Sequence, residues 1–257
     1  MENIYKILSS MVILTTLLSV SFCKKTDNKP LKKMNSKCDV IKSSAGDIQI
    51  CPVGHASFVL VTSKKTIYFD PVGGKELYKQ YSRPDYILVT HTHFDHLDIK
   101  TIKDVISKDT KIVGTVAVKK KYGGAMAMKN GDVKELDGIK VEAIGMYNIT
   151  KGRTKFHPRG QGNGYVVTIN DKRVYVSGDT EDIPEMRNLK NIDAAFICMN
   201  LPYTMDEKQA ASAVLEFKPK IVYPYHFILG KPGDVNNFKK LVNKNKNIEV
   251  RILNWKK

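Results

Sequence analysis

Three imidazoles and a carboxylate fall within six positions in His91-Thr92-His93-Phe94-Asp95-His96. Imidazole nitrogen and carboxylate oxygen are the donors taken by borderline-soft dications such as zinc. An apolar run, Tyr86-Ile87-Leu88-Val89, leads directly into the cluster. It is short, β-branched and preceded by Pro84 and Asp85, and so reads as a buried strand. Side chains two apart on an extended segment point the same way, so His91 and His93 can share one ion. Asp95 and His96 follow where the backbone turns, and they can face a second ion. The bland alternative is a solvated histidine cluster in a loop. A hydrophobic strand that aims the residues at one point argues against it.

The remaining histidines argue the same way. The chain has six: His55, His91, His93, His96, His157 and His226. His157 lies in a glycine-rich loop, 155–165, that enters a strand, and His226 ends a second apolar strand, 221–226. Between them, Val174-Tyr175-Val176-Ser177-Gly178-Asp179 is a strand whose last residues are a glycine and a carboxylate. Each candidate ligand thus sits at or just beyond a strand end, where a rigid sheet can hold a site built from short loops.

The series His91-x-His93-x-Asp95-His96, then His157, Asp179 and His226, resembles the metallo-β-lactamase superfamily. Gly54-His55-Ala56-Ser57, Phe69-Asp70-Pro71 and Gly178-Asp179-Thr180 resemble its branch containing ascorbate-6-phosphate lactonase and the N-acyl-phosphatidylethanolamine phospholipase D enzymes. The resemblance runs from Asp47 to the C-terminus. It implies an αββα sandwich, an α/β (α+β) fold of two mixed sheets flanked by helices. Patterning alone gives only mixed α and β.

The resemblance also implies a ligand set. His91, His93 and His157 would bind one divalent ion, Asp95, His96 and His226 a second, and Asp179 would bridge them. Zinc is the expected metal, with Mn2+ and Fe2+ open. Two such cations lower the pKa of a shared water toward neutrality, and the hydroxide attacks a carbonyl carbon or phosphorus. Asp95, Asp179 and His55 are the candidate catalytic residues. His55 stands outside the ligand set and is expected to line the substrate side, so removing it should spare metal content. Asp70 would brace the histidine loop from a neighbouring strand; a plain turn carboxylate is the alternative. Tyr203 and Tyr225 are substrate contacts or rim packing. Arg159 is an anion grip or a surface arginine, and Asp98 supports the turn or the next helix start.

The function expected is an exported metal-dependent hydrolase of an ester, lactone or phosphoester bond in a small-molecule or lipid substrate. A phosphodiesterase acting on phospholipid or nucleic acid is the alternative. A non-catalytic metal-binding lipoprotein is a different class, but structural zinc closes with four ligands, fewer than are present here. An iron-based redox member is disfavoured by His93, where that branch places a glutamate.

The first residues read as a targeting signal, 1–22, with Lys6 in a weak n-region and an apolar stretch from Ile7 to Phe22. Val20-Ser21-Phe22-Cys23 resembles a bacterial lipobox with Cys23 as the lipidated residue, which would place the protein on the outer side of a membrane. An ordinary cleaved signal is the alternative. Residues 23–45 are rich in Lys, Ser and Asn and read as a flexible linker, leaving 46–257 as the hydrolase domain. The net charge of +16 reflects scattered lysines, with one triple at 119–121. No arginine–aromatic stripe suggests base stacking, so nucleic acid is not an expected partner. Anionic head groups would add adhesion. Of the cysteines other than Cys23, Cys198 reads as a buried thiol, and Cys38 and Cys51 are an open candidate disulfide. Oligomeric state is not readable.

Strands are expected at 48–51, 56–61, 66–69, 111–115, 139–147, 165–169, 173–176 and 248–253. Helices are expected at 101–107 and 117–122, from a capping box at 204–207 through 217, and from Asp234 through 242.

Overall fold

The computed structural model describes residues 38–227 and 234–255. The expected signal, the lipobox and the linker as far as residue 37 lie outside the described residues. Among the described residues, no helix is long and apolar enough to cross a membrane.

Among the described residues, two seven-stranded sheets form the body of the fold. The first holds β1 (Asp39–Ile41), β2 (Ile48–Gly54), β3 (Ser57–Val61), β4 (Thr66–Phe69), β5 (Tyr86–Leu88), β6 (Lys111–Gly114) and β7 (Met126–Ala127), in chain order. The second holds β8 (Val133–Leu136), β9 (Ile139–Met146), β10 (Gly162–Ile169), β11 (Lys172–Val176), β12 (Ala194–Cys198), β13 (Ile221–Tyr225) and β14 (Glu249–Val250). Each sheet begins as an antiparallel meander of four strands and continues in parallel pairings, from β4 in the first and from β11 in the second. Parallel neighbours require crossovers, and these supply the helices. They are α1 (Ile99–Val105), α2 (Val116–Tyr122), α3 (Pro184–Arg187), α4 (Glu207–Phe217) and α5 (Val235–Val242).

The sheets pack face to face through aromatic rings. Phe58 of β3 stacks on Phe196 of β12 with centroids 4.0 Å apart, and Phe69 stacks on the other side of Phe58 at 4.5 Å. The outer face of the first sheet, with Val59, Tyr68, Ile87 and Val89, is covered by Ile102 and Val105 of α1 and Val118 of α2. The outer face of the second meets α4, whose Phe217 packs edge-on to Tyr175. Helix, sheet, sheet and helix are therefore layered as expected.

Several local expectations change. The ordered fold begins before residue 46, because β1 pairs with β2 and a Cys38–Cys51 disulfide ties its start to that strand. The strand expected at 165 starts at Gly162, inside what reads as a glycine-rich loop. Glycine is required there by close approach: a Cβ on Gly164 would lie 3.0 Å from the carbonyl oxygens of Val176 and Ser177. The capping box is formed by Asp206 with Gln209, not at 204–207, and the closing strand covers only Glu249–Val250. Asp98 and Asp234 cap α1 and α5. Tyr225 belongs to the core, beside Phe58, Phe196 and Trp255.

Candidate metal centre

The carboxyl ends of parallel strands from both sheets converge on one cavity, where open α/β sheets hold their ligands. The segment after β5 delivers His91, His93, Asp95 and His96. The turns after β4, β11, β12 and β13 deliver Asp70, Asp179, Asn200 and His226. The β9–β10 connection brings His157, and the two-residue turn between β2 and β3 brings His55. All seven expected ligands meet. His91, His93 and His157 form one cluster of donor atoms, His91, His96 and Asp179 another, and His55, Asp95 and His226 a third.

Their spacing suits metal coordination. His91 Nε2 lies 2.9 Å from His93 Nδ1, and His96 Nε2 lies 3.0 Å from His226 Nε2. Asp179 sits between the two histidine groups. Its Oδ1 is 3.4 Å from His96 Nε2 and 3.5 Å from His226 Nε2, while its Oδ2 is 3.4 Å from His157 Nε2. Asp95 Oδ2 is 3.5 Å from His226 Nε2 and 4.0 Å from His96 Nε2. A tetrahedral centre with bonds of about 2.0–2.1 Å spaces its donors about 3.3 Å apart. His157 Nε2 and Asp179 Oδ1 are buried and make no hydrogen bond. Buried polar atoms are seldom left without a partner, and a cation satisfies both.

The opposite ring nitrogens are held by a buried network. The Asp70 carboxylate accepts from the Thr90 N–H, the Thr90 hydroxyl and His96 Nδ1–H, each at 2.7 Å. The Thr90 oxygen in turn lies 3.0 Å from His91 Nδ1 and can accept its proton. Asp70 thus fixes two tautomers at once and leaves both Nε2 lone pairs facing the cavity. His157 Nδ1 donates to the Tyr203 carbonyl at 3.1 Å, and the Asn200 amide lies 3.2 Å from His226 Nδ1. Thr90 and Asn200 carry no sequence signal of these roles. Three of the eight non-glycine residues with positive φ among the described residues fall here: His55, Asp70 and His226, at 50°, 42° and 50°. Each costs roughly 1–3 kcal/mol, and such outliers collect at functional sites.

Charge is distributed to match. Burial holds His91 well below the ordinary imidazole pKa, with the neighbouring His96 adding to the effect. Burial also disfavours charge on His96, but Asp179 and Asp70 outweigh it and raise that pKa well above the usual value. Burial alone would raise Asp179, yet the His226 and His96 rings beside it hold its carboxyl well below the usual range. Asp95 is lowered in the same manner: contacts from His226, His55 and His96 overcome desolvation. The same negative charge, with Asp179 beside His96 Nε2 and Asp70 beside its Nδ1, also suits a cation at Nε2.

The cavity, about 850 Å³, is walled by carbon as well as by ligands: Val72, Phe94, Phe156 and Tyr203 line it with Lys155. Phe94 is 86% exposed and Tyr203 45% exposed, both at the mouth. Arg159 is directed away, paired with Glu185 at 2.9 Å and lying over the Tyr147 ring. The cationic wall residue is Lys155 instead.

Known proteins resemble this chain in sequence and in fold. The Beta-lactamase superfamily domain matches residues 49–226. A UPF0173 metal-dependent hydrolase from Koribacter versatilis is 33% identical over 215 residues, covering 74% of this chain and 91% of that protein. A solved structure from Parabacteroides distasonis, described as a metal-dependent hydrolase, has 41% identity and a TM-score of 0.79, covering 85% of this chain and 99% of that one. Igni18, a metallo hydrolase from Ignicoccus hospitalis, has 21% identity and a TM-score of 0.69 over 82% of this chain and 96% of its own, a likeness of fold alone.

Proposed function

The chain belongs to the β-lactamase superfamily as a metal-dependent hydrolase, and from that premise we propose that it works with two divalent ions, zinc being the expected metal, on an ester, lactone or phosphoester. His91, His93 and His157 would hold one ion and Asp95, His96 and His226 the other, with Asp179 shared. Bound there, the ions would lower the pKa of water toward neutrality and polarise the electrophile. The single observation that carries the reading is Asp179, which turns one carboxylate oxygen to each histidine group.

The protein's own residues do the rest. Asp70 and Thr90 keep the ligand nitrogens deprotonated toward the cavity. Val72, Phe94, Phe156 and Tyr203 favour a substrate carrying an apolar group beside the scissile bond, and Lys155 favours a negative charge near it. We extend the proposal to location: an exported protein held at a membrane through a lipid on Cys23.

The test is Asp179→Asn, which keeps size but removes charge. Wild-type protein purified without chelator should carry close to two ions per chain. The variant should lose one and turn over at least ~100-fold more slowly on any substrate found among lactones, thioesters, phosphodiesters and N-acyl phospholipids. Two retained ions with near-normal turnover would refute the shared-carboxylate mechanism.

A further inference from the structure

His55 is expected from sequence to stand apart from metal binding, but the structure puts it in contact with two of the proposed ligands. Its Nε2 lies 3.1 Å from Asp95 Oδ2, and its ring packs on His226 with centroids 4.1 Å apart. We propose that His55 is a positioning residue for the second ion: its N–H holds the Asp95 carboxylate, and its ring braces His226. The inference rests on the two-ion reading above.

The proposed ligands differ in how they are supported, and His93 is itself exposed. His91, His96, His157 and His226 are all buried, and each has a partner on the ring nitrogen turned away from the cavity. Asp95 differs. Its side chain is 26% exposed, against 4% for Asp179 and less for His96 and His226. Among the described residues, its carboxylate meets three groups, all imidazoles: His55, His226 and His96. Two of these would give their Nε2 lone pairs to the ion and could not donate to Asp95. His55 is the donor that remains. A ligating carboxylate oxygen can accept such a hydrogen bond and bind metal at the same time, and this kind of support commonly sets affinity.

The backbone is built to present that ring. His55 occupies the tip of a two-residue turn between β2 and β3, with Gly54 paired to Ser57 across it. Its φ of 50° is left-handed, a conformation that a residue with a side chain rarely adopts. The adjacent Ala56 and Ser57 are buried, so the tip is fixed to the sheet. The hairpin and the histidine loop are about forty residues apart in sequence, and His55 joins them at Asp95. Direct coordination by His55 is a weaker fit, because Asp95, His96, His226 and Asp179 already supply four donors.

The experiment compares metal-free wild type, His55→Ala and His55→Gln by titration with Zn2+ against a chromophoric chelator and with Co2+ followed by its absorption spectrum. Gln keeps an N–H donor at similar reach. Wild type should bind two ions. His55→Ala should bind one of them as wild type does and the other roughly 10–100-fold more weakly; the undisturbed ion reports an intact fold. His55→Gln should recover most of the loss. Wild-type affinity for both ions in His55→Ala overturns the proposal, as does His55→Gln binding as weakly as His55→Ala. A wild-type stoichiometry of one ion overturns the two-ion reading itself, and is recognisable because it appears before any substitution is made.

Discussion

One carboxylate outside the proposed ligand set does as much to define the site as any ligand. Asp70 is fully buried, sits in a strained left-handed backbone, and accepts three hydrogen bonds. Through Thr90 and His96 it orients donors belonging to both proposed ions. Asp70→Ala removes the acceptor from His96 and from the Thr90 hydroxyl, so both rings regain freedom to rotate or switch tautomer. Both ion affinities should fall, each by roughly 10–100-fold, in contrast to the one-sided effect expected for His55→Ala. Chelator competition on the metal-free variant reads this directly. A loss confined to one ion would show that Thr90 alone sets the His91 tautomer.

The loop between β9 and β10 carries His157 and Phe156 and depends on Glu181. That carboxylate is fully buried. It accepts from the N–H groups of Ile149 at 2.7 Å and Thr150 at 2.6 Å and pairs with Arg153 at 3.1 Å. Burial alone would raise its pKa, but the two backbone donors and Arg153 bring it below the ordinary glutamate value. A depressed folded-state value means that the stabilisation is complete above about pH 4.5 and is lost as pH falls through the folded pKa. Glu181→Gln should therefore cost about 1–3 kcal/mol at neutral pH, and the gap should close in strong acid. Thermal melts of both proteins across pH measure it; a gap that stays constant into acid would sink the assignment. The sequence makes the ligand-bearing strands readable, because each is an apolar run that stops at a histidine or aspartate, as in 86–91, 174–179 and 221–226. Glu181, Thr90 and Asn200 are not readable that way. Their partners are tertiary, with Glu181 reaching back some thirty residues to Ile149 and Asn200 forward to His226. Gly162 and Gly164 mislead for the same reason, since strand packing against Met146 and β11, not loop freedom, calls for them.

β1, the first strand among the described residues, must be fastened to the sandwich. β1 is a three-residue edge strand, too short to hold by pairing alone, and two further ties secure it. Asp39 accepts from the Tyr223 hydroxyl at 2.9 Å and from Arg251 at 3.1 Å, linking the first sheet to the second and to the chain's end. Cys38 is bonded to Cys51 across a separation of 13 residues. In the chain-entropy picture, closing a loop of this size stabilises by about 3 kcal/mol. The bond also bears on location, since disulfides persist in oxidising surroundings and are rare in the cytosol. That agrees with the export proposed from the signal-like start. Removing the bond should not touch the metal site, because β1 lies at the far edge of its sheet, separated by β2, β3 and β4 from the strand that leads to His91. Cys38→Ser should therefore lower the melting temperature by roughly 6–12 °C and make it insensitive to reductant, while ion stoichiometry and turnover stay at wild-type values. Wild-type protein should show the same drop when reductant is added. If reductant leaves the wild-type melt unchanged, the Cys38–Cys51 bond does not fasten β1. The disulfide then no longer supports an oxidising location, which would rest on the lipobox alone.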